Sequence, residues 1–210
     1  MRVTEIFFSI QGEGTRAGRP CAFVRFTGCD LRCTWCDTAY AFQGGEERSR
    51  AEILAALEPL PTRLVCLTGG EPTLQRELPE LCRDLLARGW EVTLETHGQR
   101  PTEALPPEVV RIVDVKPPGS GEETTDFAYL DALRPHDEVK FVVASEADYR
   151  WSAEVARRHR LPGRVEVLFS PVFGRVEPKA LVEWLLADGL QARLSLQLHK
   201  VVWGPEVRGV

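Results

Sequence analysis

The sequence has no apolar run that approaches the roughly 20 residues needed to span a bilayer. It opens with Met-Arg-Val-Thr-Glu and shows no apolar signal segment, so we expect a cytoplasmic protein whose cysteines stay reduced. It also lacks an excess of positive charge, and the net charge of −5 argues against broad nucleic-acid binding. No internal repeat, low-complexity tract or linker is visible. We therefore predict a single domain over residues 1–210, without a membrane or nucleic-acid partner.

Three of the six cysteines lie close together, with the spacing C-x3-C-x2-C at Cys29, Cys33 and Cys36. A [4Fe–4S] cluster is held by cysteine thiolates and normally takes four of them. A trio without an evident fourth partner indicates an iron that is free to bind a small molecule. The trio could instead join a histidine in a structural zinc site, although no second ligand pair follows it. The remaining cysteines are interpreted as buried apolar residues: Cys21, Cys66 and Cys82.

Strands and helices alternate along most of the chain, which predicts an α/β fold with a parallel sheet. Strands are predicted at 3–10, 21–27, 63–67, 90–95, 110–115, 138–143, 165–169 and 192–197. Helices are predicted after the capping box of Ser49 and Glu52, and at 74–88, 127–133, 146–158 and 178–187. About six such units fall short of the eight that close a barrel, so we expect an open, partial TIM-like barrel.

Polar segments follow the carboxyl ends of several predicted strands, where parallel α/β folds collect their working groups. These segments are the cysteine loop and residues 68–71, 95–98, 114–116, 170–171 and 197–200. Any one of them could be ordinary turn chemistry. Their repeated placement predicts that they surround one cavity.

The cysteine loop, with Trp35 before the last cysteine, resembles the cluster loop of the radical S-adenosylmethionine (SAM) superfamily. The segment Gly69-Gly70-Glu71-Pro72 after a strand resembles that superfamily's GGEP motif. The resemblance implies that Cys29, Cys33 and Cys36 each bind one iron of a [4Fe–4S] cluster, and that SAM chelates the fourth. It further implies that reductive cleavage of SAM yields a 5′-deoxyadenosyl radical, which takes a hydrogen atom from the substrate.

Segments 7–14, 18–20, 23–29, 36–38 and 197–200 resemble a narrower family, the 7-carboxy-7-deazaguanine synthases. This resemblance implies a lyase that converts 6-carboxy-5,6,7,8-tetrahydropterin to 7-carboxy-7-deazaguanine with loss of ammonia, in queuosine and 7-deazapurine biosynthesis. It implies that SAM is regenerated, that Mg²⁺ assists and that the protein is a homodimer. An electron donor such as a flavodoxin or ferredoxin is also implied.

The same resemblance assigns roles to individual residues, and no catalytic residue beyond them. The substrate-binding residues are Ile10, Gln11, Gly12, Glu13, Arg25, Thr68, His199 and Pro205. The SAM-binding residues are Gly69, Gly70, Glu71, Thr96, Asp114, Val115, Lys116, Ser170, Pro171, Val172 and Phe173. Thr38 matches the Mg²⁺ ligand, although the residues alone indicate a helix cap there. Arg25 offers a planar fork suited to the substrate carboxylate, while Gln11 and Glu13 suit the amide and amino edge of a pterin.

Two alternatives remain open: a glycyl-radical-enzyme activase of the same superfamily, and a zinc-binding, non-catalytic RNA-modification partner. The sequence also departs from the family pattern. His97 stands where Ser or Asn is expected after Glu-Thr, and the chain continues past Pro205 through residues 206–210. We interpret His97, His136 and His159 as structural.

Overall fold

A nine-stranded sheet forms the centre of the fold in a computed structural model that describes residues 1–210. The strands are β1 (Arg2–Ile10), β2 (Pro20–Phe26), β3 (Glu46–Glu47), β4 (Leu64–Gly69), β5 (Glu91–Thr96), β6 (Val110–Val115), β7 (Glu138–Val143), β8 (Glu166–Pro171) and β9 (Arg193–Leu194). The helices are α1 (Arg50–Leu57), α2 (Leu78–Ala87), α3 (Ala128–Asp131), α4 (Glu146–Arg158), α5 (Pro178–Asp188) and α6 (Leu198–Trp203). None of these helices has the length and apolarity that crossing a membrane requires.

The strands pair in the order β3-β1-β2-β4-β5-β6-β7-β8-β9. Pairing is parallel from β2 through β9, whereas β1 runs antiparallel to both β2 and β3. The two end strands do not pair with each other, so the sheet is open, as a partial barrel requires. The prediction of an open α/β barrel is therefore confirmed. The parallel part of the sheet includes β2 and the short β9 and therefore has seven strands, whereas about six strand–helix units were predicted.

Apolar side chains fill the space between the sheet and its helices in two large clusters. The first packs β2, β4 and β5 against α1 and α2, and the second packs β6, β7 and β8 against α4 and α5. Cys21, Cys66 and Cys82 are fully buried, which confirms their interpretation as apolar core residues. Each cluster holds the carboxyl ends of its own strands in place, so the two sets of strand ends lie side by side in one sheet.

Two predicted elements differ from the structure. The helix predicted at 74–88 begins at Leu78, because residues 72–74 form a separate 3₁₀ turn in which the Glu71 side chain accepts the Thr73 N–H. The strand predicted at 192–197 is only Arg193–Leu194, and the unpredicted helix α6 follows it. The capping box was predicted correctly: Ser49 Oγ accepts the Glu52 N–H, while Glu52 Oε2 accepts the Ser49 N–H.

Candidate active site

A cavity of about 300 Å³ opens at the carboxyl ends of the parallel strands. All eight predicted substrate residues line it, as do Cys29, Cys33, Cys36 and Thr38. The predicted SAM residues divide into two groups. Those that line the cavity are Gly69, Gly70, Thr96, Asp114, Lys116, Val172 and Phe173. Those that lie behind its wall are Glu71, Val115, Ser170 and Pro171.

The cysteine loop leaves the end of β2 and is held by backbone hydrogen bonds at both ends. The Gly28 N–H donates to the Ala41 carbonyl at 2.8 Å, and the Thr34 N–H donates to the Ser120 carbonyl at 2.9 Å. The three thiols are half-buried and form no disulfide. Burial raises the pKa of Cys29 and of Cys33, so binding a metal there must release protons.

The three thiols all line the cavity, and no other cysteine does. No group of three or more His, Cys, Asp or Glu side chains is placed to hold one metal ion. An iron–sulfur cluster offers each thiolate a different iron atom, whereas a structural zinc site gathers four ligands around one ion. Three cysteines on one loop, without a fourth, are a donor set that fits a cluster.

The glycines at the end of β4 allow two backbone segments to touch. A side chain on Gly69 would place its Cβ 2.3 Å from the Phe26 carbonyl oxygen, and one on Gly70 would meet the Gly28 carbonyl oxygen at 2.1 Å. The close approach permits the Gly70 N–H to donate to Phe26 at 3.2 Å and the Glu71 N–H to donate to Gly28 at 2.7 Å. The glycines thus join the GGEP segment directly to the start of the cysteine loop.

The Glu71 carboxylate is fully buried and does not line the cavity. It accepts hydrogen bonds from the Thr73 hydroxyl at 2.6 Å, the Thr96 hydroxyl at 2.8 Å and the His97 N–H at 2.9 Å. These bonds fix the end of β5 against the turn that follows β4. The role of Glu71 as a countercharge to SAM stays a prediction.

His97 is also buried, yet its ring reaches the cavity wall beside the cysteine loop. Its Nε2 lies 2.9 Å from Asp30 Oδ1 and 3.3 Å from Glu71 Oε2. Its Nδ1 accepts the Gln99 N–H at 3.1 Å. His97 therefore has the buried, hydrogen-bonded position expected of a structural residue, but it also lies at the candidate site. It contacts Asp30, which directly follows Cys29 in the chain.

A chain of buried ion pairs forms the floor of the cavity. Lys140 Nζ lies 2.8 Å from Glu13 Oε2 and 3.8 Å from Asp114 Oδ2, and Lys116 Nζ lies 2.9 Å from the same Asp114 oxygen. Burial alone would raise the pKa of Glu13, but the Lys140 ammonium and a hydrogen bond from Gln197 hold it below its usual value. Burial likewise opposes the charge on Lys140, and the carboxylates around it raise its pKa well above the ordinary range. Both groups are charged at neutral pH.

Arg25 presents its guanidinium to the cavity from β2. Its Nε donates to Glu5 Oε1 at 2.7 Å, and the Tyr40 hydroxyl donates to the same oxygen at 2.8 Å. The two terminal nitrogens of Arg25 make no hydrogen bond within the protein. The Phe7 ring stacks on Phe23 at 4.7 Å and lies beneath the guanidinium, so a flat apolar wall adjoins this cation.

Three polar atoms near the cavity are buried without a hydrogen-bond partner: Gln11 Nε2, Asp114 Oδ1 and Ser170 Oγ. Such atoms are rare in folded proteins because each costs free energy when it leaves water. All three belong to residues predicted to bind substrate or SAM. Gln11 and Asp114 line the cavity, where a bound ligand would supply the missing partners, whereas Ser170 lies behind the wall.

Thr38 precedes the 3₁₀ turn at Ala39–Phe42, but its side chain makes no capping hydrogen bond. The helix cap indicated by the residues alone is therefore absent, and the hydroxyl lies 3.7 Å from Cys36 Sγ. The neighbouring Asp37 carboxylate pairs with Lys200 at 2.5 Å. Burial would raise the pKa of Asp37, but the Lys200 ammonium lowers it. A negatively charged carboxylate therefore lies next to Thr38.

The end of the chain also contributes to the cavity. His199 lies on α6, and its Nδ1 sits only 2.3 Å from where a Cβ on Gly12 would be. Burial lowers the pKa of His199, with partial compensation from Glu13, so its ring is neutral at pH 7. Residues 205–210 line the cavity mouth, where the Arg208 guanidinium lies 4.1 Å from the centre of the Tyr40 ring. His136 and His159, interpreted as structural, do not line the cavity.

Sequence reasoning gave no role to Glu95, although segment 95–98 was predicted to face the cavity, and it missed Lys140 altogether. Glu95 is half-buried in the cavity, accepts the Thr68 hydroxyl at 2.8 Å and forms no ion pair. Lys140 was missed because it lies inside a predicted strand rather than at its end. A lysine within the apolar run Glu138–Val143 is itself a signal, since a buried ammonium needs a carboxylate partner.

Comparison with known proteins shows the family to which the chain belongs. The Radical SAM superfamily matches residues 23–173 of the chain. A 7-carboxy-7-deazaguanine synthase from Koribacter versatilis is 47% identical over 226 residues, covering 100% of both chains. A second such synthase, from Chlorobaculum tepidum, is 43% identical over 214 residues, covering 100% of this chain and 97% of the relative.

Solved structures show the same fold. The crystal structure of QueE from Escherichia coli superposes with a TM-score of 0.76 at 24% identity, over 94% of each chain. Streptococcus suis SuiB bound to S-adenosylmethionine gives a TM-score of 0.57 at 10% identity, over 84% of this chain and 47% of SuiB. The motif segments, their shared cavity and the full-length similarity lead to one conclusion: the chain belongs to the 7-carboxy-7-deazaguanine synthase family of the radical SAM superfamily.

Proposed function

We propose that this radical SAM enzyme converts 6-carboxy-5,6,7,8-tetrahydropterin to 7-carboxy-7-deazaguanine with loss of ammonia. Similarity to synthases of that name extends over the whole chain. The observation that carries the proposal is the shared cavity: Arg25, Gln11 and Glu13 open onto the same space as the cysteine loop and the GGEP segment. A single small molecule can therefore touch the pterin-binding groups while it lies beside the cofactors.

Membership of the superfamily implies a [4Fe–4S] cluster and SAM. Cys29, Cys33 and Cys36 would hold the cluster. When bound, the cluster and SAM would together supply the radical chemistry that takes a hydrogen atom from the substrate. For SAM itself, the Gly70 carbonyl accepts no hydrogen bond within the protein and suits an ammonium, while the unpartnered Asp114 Oδ1 suits a hydroxyl.

At the substrate end, the terminal nitrogens of Arg25 can hold a carboxylate in a bidentate pair. The stacked Phe7 and Phe23 rings offer a flat surface beside it. Glu13 is kept ionised by Lys140, and Glu95 has no cation partner, so both carboxylates can accept N–H groups from the amide and amino edge of the pterin. Neutral His199 adds a second polar group with both donor and acceptor capacity.

A magnesium ion at Thr38 is part of the proposal. Mg²⁺ prefers oxygen ligands and keeps several waters, so one hydroxyl and the substrate carboxylate suffice for an ion bound with substrate. The Thr38 hydroxyl is not used as a helix cap, and Asp37 next to it carries negative charge. There the ion would orient the substrate and neutralise charge on its carboxylate. The substrate dependence of Mg²⁺ binding, measured with and without the pterin, tests this part.

The activity test uses protein reconstituted anaerobically with iron and sulfide, reduced, and supplied with SAM, Mg²⁺ and the carboxy-tetrahydropterin. Mass spectrometry should detect 7-carboxy-7-deazaguanine and released ammonia. Cys33→Ala is the matched control and should give neither. About four irons per chain support a cluster, whereas one bound zinc and no iron would contradict it. A fully loaded protein that yields no product, but forms a glycyl radical on a partner protein, would favour an activase.

The homodimer and the electron donor belong to the proposal as well, on family resemblance alone. Light scattering of the cluster-loaded protein gives the oligomeric state. Turnover with reduced flavodoxin, compared with reduced ferredoxin at equal potential, identifies the class of donor.

A further inference from the structure

We propose that His97 is a positioning residue for the iron–sulfur cluster, because its ring bonds Asp30 in the cysteine loop while its backbone N–H bonds Glu71 in the GGEP segment. This inference rests on the cluster and SAM sites of the proposed function, but not on the identity of the pterin. It assigns a purpose to the residue at which this chain departs from the Ser or Asn expected after Glu-Thr.

The hydrogen bonds of His97 determine which ring nitrogen carries the proton. The Gln99 N–H donates to Nδ1 at 3.1 Å, so Nδ1 is the acceptor and Nε2 carries the hydrogen. That N–H donates to Asp30 Oδ1 at 2.9 Å, while the backbone N–H of His97 donates to Glu71 Oε2 at 2.9 Å. The ring is 5% exposed, so water does not compete strongly for these bonds.

Both carboxylates lie next to groups that would hold the cofactors. Asp30 follows Cys29 directly, and its other oxygen accepts Arg100 Nη1 at 3.0 Å. Glu71 belongs to the GGEP segment and is already fixed by Thr73 and Thr96. His97 therefore ties the loop that carries Cys29 to a buried carboxylate with several hydrogen bonds of its own.

Hydrogen-bonding partners of this kind hold metal ligands in place, and their loss typically lowers metal affinity by about 10- to 100-fold. Hydrogen bonding near a cluster also sets its reduction potential. Without the N–H of His97, we expect the Cys29 loop to exchange between positions. The cluster should then lose iron more readily and respond less to SAM.

Two substitutions at the same position separate the proposed role from a general packing role. In His97→Gln the amide NH₂ reaches the place of Nε2 and keeps the donor to Asp30. In His97→Asn the shorter side chain keeps an acceptor for Gln99 but cannot reach Asp30. Arg100→Gln is the control that removes the exposed partner of Asp30 and leaves the His97 contact intact.

Each variant is loaded anaerobically, and iron release to a chelator is followed without any pterin. We expect iron release about tenfold or more faster in His97→Asn than in the wild type, and near wild-type release in His97→Gln and Arg100→Gln. Electron paramagnetic resonance of the reduced cluster should show a weaker change on addition of SAM in His97→Asn only. Thermal unfolding of the cluster-free proteins measures packing separately.

The inference is overturned if His97→Asn holds its iron and responds to SAM as the wild type does, or if His97→Gln and His97→Asn lose iron equally. If neither variant folds, Asp30→Ser provides the same test from the exposed side of the contact, with faster iron release expected and unchanged release contradicting the inference. None of these results depends on turnover. A wild-type protein that binds SAM but makes no deazaguanine would contradict the proposed function and leave this inference standing.

Discussion

Lys140 Nζ lies 2.8 Å from Glu13 Oε2, although the two residues are 127 positions apart in the sequence. The pair joins β7, the seventh of the nine strands in sheet order, to the loop that follows β1. Both side chains are nearly inaccessible to water. The Lys140 ammonium therefore keeps the Glu13 carboxylate ionised and holds it in place at the proposed substrate site.

Replacing Lys140 with Met leaves the Glu13 carboxylate buried and without its cation. We expect the free energy of unfolding to fall by about 3–5 kcal/mol, because an unpaired buried charge costs more than the ion pair contributes. Denaturant unfolding of the cluster-free protein measures the loss. The double variant Lys140→Met with Glu13→Gln removes both charges and should recover much of it. Lys179→Met on the surface is the control, and an equal loss there would contradict the assignment.

Replacing Arg25 with Gln removes the guanidinium proposed to hold the substrate carboxylate. We expect affinity for the carboxy-tetrahydropterin to fall by about 2–5 kcal/mol, the usual loss when one partner of a buried charged pair is truncated. Equilibrium binding without reductant measures this, since no turnover then occurs. Affinity for the analogue without the carboxylate should hardly change.

A matched control for Arg25 is Glu5→Gln, which breaks the ion pair behind the guanidinium at 2.7 Å but keeps the guanidinium. This variant should bind the carboxylated pterin much more tightly than Arg25→Gln does. Equal losses in the two variants would show that the ion pair, rather than a contact between Arg25 and the substrate, explains the effect.

Burial lowers the pKa of His199 below its ordinary value of 6.5. Below that pH the unfolded chain binds a proton that the folded chain resists, so stability should fall as the pH drops from 7 towards 5.5. The variant His199→Asn should show a flatter dependence over that window. His136→Asn, at an exposed position, should keep the wild-type slope. Denaturant unfolding at several pH values checks the prediction, and parallel curves for wild type and His199→Asn would contradict it.

Replacing Gly70 with Ala places a Cβ 2.1 Å from the Gly28 carbonyl oxygen and 2.8 Å from Cys29 Cβ. Backbone must move to relieve this clash, at a cost of about 1–3 kcal/mol. Because the movement displaces Cys29, iron content after reconstitution should fall as well. Gly18→Ala is the control: its φ of 85° costs about 1–2 kcal/mol in open space, but no cofactor group lies near it. Full iron loading in Gly70→Ala would contradict the prediction.

Elements with strong local signals were predicted well from the sequence. The strands at Val110–Val115 and Glu138–Val143 and the helix Glu146–Arg158 match their predicted bounds. Their patterns are unambiguous because apolar runs lie between turn residues, and Ser145 caps the helix. The placement of polar segments at strand ends then followed from the general geometry of parallel sheets.

The parts that depend on distant contacts could not be predicted in this way. The segment after Arg193–Leu194 reads as a strand, but Leu198 donates its N–H to the Gly12 carbonyl at 3.0 Å, and the chain turns into α6 instead. The role of Lys140 depends on Glu13, and that of His97 on Asp30. A sequence pattern with a period of two or four residues carries no information about such pairs.

The hydrogen bond between Leu198 and Gly12 also has a bearing on how the molecule is made. Residues 10–13 are synthesised long before α6, yet both line the same cavity. Until α6 has folded against the loop after β1, the substrate side of the cavity lacks one wall. A complete binding site therefore forms only after two distant parts of the chain have met, so the site depends on the folding of the whole sheet between them.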